Sequence, residues 1–412
     1  MSVGGSRVGI VGGSVAGCAM AVAAGRLGCD VSVFEASRGD LEDRGAGIFI
    51  PLGLREALVA KGYLSADTPY CHPTERLWIT ADPADPAGRV LWRHAFPGAA
   101  HNWGVLWRVL RSLVPDSAYH KGTAVRGCTG DAGGVTLVLD DGTTERCDVV
   151  IGADGYSSTV RRAVCPDVRP GYAGYVLWRG NYEEHLIAGS EAAAVLETGF
   201  PTICFPGGHA IVYLIPGRNG GTGPGERRVN WGVYGSPSTD MDFGEATSIP
   251  PGQVPGALTN RLDQILDDHL PPAWAAVIRA GGPEVLSVQP IYDHAAPIFV
   301  RDRIILAGDA AALSRPHTAS GVVKAMEEAI AFEAAGSTAE TWPEVLAAFQ
   351  SGRCPAGNEI VELSRLLGHG LVDHPPDWAT MTSEEVALFV TSLTSGRTLY
   401  MQPPRSESVV GH

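Results

Sequence analysis

Val8 to Gly25 is a run of 18 residues without a charge, punctuated by five glycines, and no other stretch constrains the fold as tightly. Its length is that of a bilayer span. A membrane helix rarely tolerates Gly12-Gly13 beside a β-branched run, whereas a buried strand, a tight turn and a buried helix produce this pattern. The periodicity predicts a strand over Arg7–Val11, a helix over Ser14–Leu27 and a second strand over Asp30–Glu35, together the length of a βαβ unit. The turn between strand and helix reads Gly12-Gly13-Ser14-Val15-Ala16-Gly17. Glycines at such a turn let the backbone approach a pyrophosphate at the helix N-terminus. Ser14 stands where the usual fingerprint has its middle glycine, so the hexapeptide alone also reads as a plain glycine turn. Glu35 adds context, because it ends the second strand 18 residues after Gly17, where an acid accepts the ribose hydroxyls of an adenine dinucleotide. A solvated strand-end glutamate is the other reading.

Further along, the chain is Pro-rich between Pro69 and Pro97, with a short strand expected around Arg89–Arg93. Apolar residues return at helical spacing over Trp103–Val114. Gly134–Leu139 and Arg146–Ile151 flank Asp140-Asp141-Gly142, a hairpin signal. From Gly171 to about Val288, short β-like runs such as Tyr172–Trp178 and His209–Ile215 alternate with Gly and Pro, which predicts a second, sheet-rich domain. Arg303–Ala307 reads as another buried strand entering Gly308-Asp309, and Val322–Ala335 continues as a helix free of Gly and Pro. Trp342–Leu367 and Ser383–Thr394 read as helices. The expected fold class is α/β: a discontinuous Rossmann-like domain over residues 1–75, 98–170 and 289–340, and an inserted mixed β-sheet substrate domain over 76–97 and 171–288. C-terminal helices follow over 341–402, with a mobile tail over 403–412.

Charge bounds the partners. Lys+Arg 31 against Asp+Glu 45 gives a formal net charge of -14, which disfavours nucleic acid and anionic membrane surfaces and points to a small-molecule substrate. The eight cysteines show no C-x-x-C pair and no zinc-like spacing with histidine, so they read as reduced thiols of a cytoplasmic protein with no metal. Lysine is rare, confined to Lys61, Lys121 and Lys324, and Lys324 reads as a helix-surface residue.

Two further blocks carry chemistry: Ile151-Gly152-Ala153-Asp154-Gly155-Tyr156-Ser157-Ser158-Thr159-Val160-Arg161, and Leu306-Ala307-Gly308-Asp309-Ala310-Ala311 followed by Pro316 and Gly321. With the opening turn, in this order and spacing, they resemble the single-component FAD aromatic hydroxylases of the p-hydroxybenzoate hydroxylase type, from Arg7 to about Phe332. The chain departs from that family at Ala312, where His is common, and at His317-Thr318-Ala319-Ser320, where the family is Gly-rich. Those departures are similar to the dihydroxypyridine hydroxylases. The stretch Gly171 to Gly180, Ile215-Pro216-Gly217-Arg218 and Arg315-Pro316-His317 carry the closer likeness, and pyridine-ring hydroxylases such as that of piericidin biosynthesis fit equally.

The resemblance implies that the Rossmann-like domain binds FAD, that NAD(P)H reduces it, and that a flavin C4a-hydroperoxide passes oxygen to an electron-rich ring. It implies cofactor roles for Gly12, Ser14, Val15, Ala16, Gly17 and Glu35, and for Gly308 and Asp309 at the ribityl chain. Ser320, Gly321 and Val322 would face the isoalloxazine from a helix N-terminus, which stabilises negative charge on reduced flavin. Asp154 is carried over as a position of its block, though a turn aspartate capping the Ser157 helix reads as well. Arg108 would reach the FAD phosphates, with Arg111 on the same face as the alternative register, and Arg44 is a similar candidate.

Substrate residues are expected from the sheet-rich domain: Arg179, Tyr213, Trp231 and His317. Arg179 would supply charge, with His317 or Tyr213 as hydrogen-bond partner or proton acceptor in catalysis. Core packing competes for Tyr213 and Trp231, an ion pair for Arg179, and a satisfied loop histidine for His317. Flavin-dependent halogenases share the first fingerprint, but their W-x-W-x-I-P motif is absent; no two of the nine tryptophans are separated by one residue. A non-enzymatic flavin-binding protein is the remaining alternative. Molecular oxygen and a small aromatic are the expected partners, with a homo-oligomer left open.

Overall fold

The computed structural model describes residues 3–42, 46–131, 133–237, 241–244 and 246–394. Arg44 and the tail expected over 403–412 lie outside the described residues. Four largely buried segments, Arg7–Val11, Asp30–Glu35, Val149–Gly152 and Ile304–Leu306, pair in parallel. Tyr119–Lys121 extends one edge and antiparallel Val300–Arg301 the other. A parallel sheet needs cover. The Val15–Arg26 helix supplies it with an Ala- and Gly-rich surface and packs against the Ser320–Thr338 helix, which packs against Trp342–Gly368. Gly12 has φ +99°, and a Cβ at Gly17 would lie 1.8 Å from the Gly12 carbonyl oxygen, so this turn admits only glycine at both positions.

The single strand expected over Arg146–Ile151 is two strands in different sheets. Thr144–Cys147 pairs antiparallel with Gly134–Leu139, which pairs in turn with Val125–Asp131, while Val149–Gly152 enters the parallel sheet. The break falls at Asp148. Its carboxylate accepts from the Arg7 N–H (2.8 Å) and its own N–H donates to the Arg7 carbonyl (2.8 Å), which turns the chain from one sheet into the other.

The second large sheet has eight strands, in the order Ala312–Leu313, Ser287–Ala295, Gly171–Glu183, Arg228–Gly235, Gly208–Ile215, Gly199–Phe205, Glu75–Asp82 and Asp85–Ala95. The first two fall largely inside the segment 289–340 expected with the nucleotide fold. They are drawn here because Ser287–Ala295 pairs along the 13-residue Gly171–Glu183 strand. Side chains alternate between faces. Val176, Trp178, Val212, Leu214, Val229 and Val233 form a core with the Gly256–His269 and Pro272–Arg279 helices. Leu177 and Tyr234 point the other way, to a cluster with Leu363, Leu367 and Leu371 at the end of the long C-terminal helix and Trp378 beyond it. That helix starts with a Thr341/Glu344 capping box and runs through Pro355. The Ser383–Thr394 helix closes the same cluster.

Candidate active site

Two cavities flank the Gly12–Gly17 turn. One, of about 630 Å³, opens at Glu35 and is walled by Trp107, Arg108, Arg111 and Tyr119. The other, of about 430 Å³, lies between the turn and the cavity face of the eight-stranded sheet. Ser14, Val15, Ala16, Gly308 and Asp309 line it from the nucleotide fold, His317, Ser320, Gly321 and Val322 from the next loop and helix, and Arg179 and Tyr213 from the sheet.

Neighbours hold the first turn in shape. Glu35 is buried; its Oε2 accepts from the Gly13 N–H and its Oε1 from the Ser37 N–H, both at 2.7 Å. The Gly13 carbonyl accepts from the Trp107 indole and the Tyr119 hydroxyl, each at 3.0 Å, and a Cβ at Gly13 would fall 2.2 Å from that hydroxyl. Ser14 caps the helix without a side-chain hydrogen bond, and the first turn carries no acid. Its N–H groups and positive dipole end therefore stay available to an anion.

Gly308 forms the second turn at φ +60°, and a Cβ there would lie 2.8 Å from the Ala16 methyl. Its N–H donates to Glu328 Oε2 (2.6 Å) and its carbonyl accepts from Lys324 Nζ (2.5 Å). Lys324, expected on the helix surface, is fully buried, as is Glu328, with Nζ 3.7 Å from Glu328 Oε1. The reason is geometric. Residues one turn apart share a helix face, and this face turns inward onto Gly308, where both the charge and the amine protons find partners. Burial raises the Glu328 carboxyl above its ordinary range, against the pull of Lys324. His294 Nε2 lies 2.9 Å from the Asp309 carbonyl, and among the described residues nothing holds the Asp309 carboxylate.

Asp154 is engaged locally. Ser158 Oγ donates to its Oδ1, and the N–H groups of Thr159 (2.6 Å) and Val160 (3.2 Å) to its Oδ2. It caps the Thr159–Val164 helix, while Ala153 and Gly155 beside it reach the cavity. Arg108 pairs with Glu42 (2.6 Å) and the Arg218 carbonyl (2.7 Å) near the surface, and Arg111 stacks 4.1 Å over Tyr119.

On the sheet side, Arg179 donates to Gln289 Oε1 (3.1 Å), and among the described residues no carboxylate lies within ion-pair distance of it. Burial lowers its pKa, partly opposed by Tyr213 and Tyr234. Tyr213 stacks on Phe200 at 4.8 Å, and burial pushes its hydroxyl pKa up. A Cβ at Gly47 would lie 2.5 Å from that hydroxyl, so glycine there brings backbone against it. Trp231, expected at the substrate, lines the cavity together with Asn230 and Gly232. Its ring also packs into the core under the two helices, and among the described residues its indole nitrogen has no hydrogen-bond partner. His317 Nε2 is 2.6 Å from the Tyr175 hydroxyl, and its ring lies 4.5 Å from Tyr234 and 5.2 Å from His209. Burial, then His209, Arg315 and Arg76, hold its pKa well below the usual value. Burial and Arg76 push His209 down to about 3. Both imidazoles are neutral at pH 7.

Arg76, Tyr175, His209, Tyr234 and Arg315 were not singled out from sequence. A signal was present for three of them: His209 lies four residues before Tyr213 on one predicted strand and so shares its face, and Tyr175 and Arg315 fall in the stretches that carry the closer likeness.

Residues 172–285 match the FAD_binding-like family, described as FAD binding domain-like. Over 338 residues the chain is 29% identical to 2,6-dihydroxypyridine 3-monooxygenase of Paenarthrobacter nicotinovorans, covering 78% of this chain and 81% of that protein. Over 403 residues it is 27% identical to 3-amino-4-hydroxybenzoate 2-monooxygenase of Streptomyces cremeus, covering 93% and 92%. The chain is a homologue of FAD-dependent aromatic monooxygenases. The solved structure of 2,6-dihydroxypyridine-3-hydroxylase from Arthrobacter nicotinovorans superposes with TM-score 0.78 at 23% identity, over 89% of this chain and 93% of that one. That likeness is one of fold, and the α/β class with a Rossmann-like flavin fold is common to both.

The two cavities and the glycine turn between them fit FAD: an adenosine half toward Glu35, a pyrophosphate over the N-terminus of the Val15–Arg26 helix, and a flavin half in the cavity between the turn and the eight-stranded sheet. Open space beside Gly321, where a Cβ would meet nothing within 4 Å, leaves room against the second helix N-terminus. Among the described residues no group of three or more His, Cys, Asp or Glu is placed to hold a metal, and no helix is long and apolar enough to cross a membrane.

Proposed function

We propose that the protein is an FAD-dependent, NAD(P)H-consuming monooxygenase that hydroxylates an electron-rich aromatic ring, a hydroxypyridine or phenol bound as its anion. One observation carries the ring's charge: Arg179 is a cation at the wall of the cavity, and among the described residues no carboxylate pairs with it. Bound FAD, reduced by NAD(P)H, supplies the oxygen activation. The chain supplies position, exclusion of water and fixed charge. In a cavity walled by Leu177, Ile211 and Tyr213, Arg179 acts in a low dielectric, where it favours the ionised, more nucleophilic ring far more than water would. Eight unpaired cysteines accord with a reducing, cytoplasmic setting.

Hydrogen bonding gives His317 a specific part. The Arg315 guanidinium can only donate, and it lies 3.5 Å from the Tyr175 oxygen. Tyr175 then turns its proton to His317 Nε2, which leaves the neutral imidazole its proton on Nδ1, a buried atom without a partner among the described residues. Of the two roles expected for it, hydrogen-bond partner or proton acceptor, His317 thus takes the first, as a donor to a ring oxyanion. His317→Ala is expected to keep FAD and to go on oxidising NAD(P)H, while hydroxylation falls about 10²-fold, as for loss of one oxyanion donor, and oxygen is diverted to hydrogen peroxide. Product formed per NAD(P)H consumed measures this. Wild-type coupling in His317, Tyr213 and Arg179 variants alike rejects the substrate site but not the flavoprotein.

The two aspartates should separate cleanly. Asp309→Ala is expected to weaken FAD retention, because Asp309 lines the flavin cavity and its carboxylate has no partner among the described residues. Asp154→Ala removes a helix cap, costing about 0.5–2 kcal/mol of stability with little change in flavin affinity. Equal losses of affinity in a flavin titration reject the assignment of Asp309.

A further inference from the structure

The cavity holds a second buried guanidinium that hydroxylation of a ring anion does not use. Arg76 lies on the Glu75–Asp82 strand, 8% exposed, between Phe200 and His94 on the neighbouring strands. Its Nε donates to Thr202 Oγ1 (2.8 Å). Among the described residues its two terminal amines have no assigned partner, and no carboxylate is within ion-pair distance. Three rings enclose it, with the guanidinium carbon 4.6 Å from the Trp78 centroid and 5.5 Å from those of Phe96 and Phe200. Burial pulls its pKa down to about 10, so it is still a cation at pH 7, and its charge helps hold His94, His209 and His317 neutral.

A buried cation without a counter-ion is unfavourable in the empty protein, and contact with aromatic faces offsets only part of that cost. The arrangement becomes favourable when an anion enters. Arg76 and Arg179 both line the cavity, yet their strands are four spacings apart in the sheet, about 19 Å between backbones. One small oxyanion does not serve both.

We propose that Arg76 is the subsite for a second anionic group on the substrate, a carboxylate carried on or beside the ring at the side of the cavity away from Arg179. The inference rests on the reading of this cavity as the site of an aromatic ring. A carboxylate fits better than a phosphate. With Nε taken by Thr202, the guanidinium presents its two terminal amines, which match the two oxygens of a planar carboxylate, and the flat space between aromatic rings offers no second cation for a dianion.

The test uses the FAD-loaded enzyme and paired ligands that differ only in the carboxylate: a phenol against the matching hydroxybenzoate, and a hydroxypyridine against its carboxylic acid. Affinity is read from the perturbed flavin absorbance, and thermal midpoints are recorded with and without ligand. In wild type the carboxylated member should bind about 10- to 100-fold tighter, the range for hydrogen bonds to a charged group. In Arg76→Met that preference should vanish while the ligand-free protein melts at or above the wild-type temperature, because an unpaired buried charge has been removed. Equal affinities within every wild-type pair overturn the carboxylate subsite and leave the ring reading intact. So does a preference that survives in Arg76→Met, or a variant that melts lower and still prefers the carboxylate, since Arg76 is then structural. If no member of any pair perturbs the flavin, the ring reading falls and this inference falls with it.

Discussion

Lys324→Met is expected to destabilise the protein by about 3–5 kcal/mol, the cost of leaving one partner of a buried ion pair behind, and to loosen its hold on FAD. Lys324 and Glu328 are both fully buried and grip the two polar atoms of Gly308, the residue that brings the second turn against Ala16 at a φ of +60°. Without the ammonium, the Glu328 carboxylate is left charged in the core or must take up a proton, and the Gly308 carbonyl loses its donor. Asp309, the next residue, then loses its fixed position at the cavity. Urea unfolding gives the stability change and flavin titration the affinity. Lys324→Met combined with Glu328→Leu should recover most of the lost stability, because replacing a buried pair with apolar groups is often close to neutral, but it should not restore FAD affinity. Lys61→Met on the exposed end of its helix serves as the control, expected within about 0.5 kcal/mol of wild type. A Lys324→Met loss no larger than that of Lys61→Met rejects the clamp.

The fold was legible where local rules are strict. Arg7–Val11 and Asp30–Glu35 have the bounds expected from apolar periodicity, and the helix expected over Ser14–Leu27 spans Val15–Arg26 with those two residues as its caps. Glycine turns punctuate these elements, so sequence alone marks their ends. The hairpin strand at Arg146–Ile151 failed because its break depends on Arg7, far away in sequence, and no composition signal marks Asp148. Lys324 was misread for the same kind of reason, since its burial depends on the Gly308 turn rather than on its own helix. The substrate side was less legible still. Both faces of the eight-stranded sheet are covered, so apolar residues occupy both parities and alternation cannot tell cavity from core. Trp231 and Tyr213 look alike in their strands and both line the cavity; only the register, with Tyr213 opposite Asn230 and Val212 opposite Trp231, shows that the Trp231 ring is shared with the core under the helices. Arg76 sits among Leu77, Trp78 and Ile79 with no local sign that it lacks a counter-ion among the described residues. The flavin came from motifs that resemble a family, and chemistry at the ring from side chains that only tertiary register assembles.

Acidification should unfold the protein steeply between about pH 6.5 and 4. His101, His209 and His294 are 0%, 2% and 3% exposed, and burial is the leading cause that pushes them down to about 4, 3 and 4. In the unfolded chain the same groups titrate near the ordinary value of about 6.5. Below that value the unfolded state binds protons that the folded state refuses, so stability is full above about pH 6.5 and falls as pH drops towards the folded values. Each histidine contributes up to about 1.4 kcal/mol per pH unit in this window, and His317 acts in the same direction. Glu328 and Asp154 oppose it, because burial raises both carboxyls and the fold takes up their protons first. With these four histidines, and His94 acting in the same direction, against two carboxyls, the net slope is roughly 3–4 kcal/mol per pH unit. Urea midpoints measured from pH 7.5 down to 5 give the slope directly. His101 provides the check away from the cavity: its Nδ1 donates to the Pro69 carbonyl at 2.9 Å and its Nε2 is buried without a partner. His101→Gln should flatten the slope by about one proton, or 1.4 kcal/mol per pH unit. A flat profile over this range in wild type, or an unchanged slope in His101→Gln, means that these histidines are not held neutral by the fold.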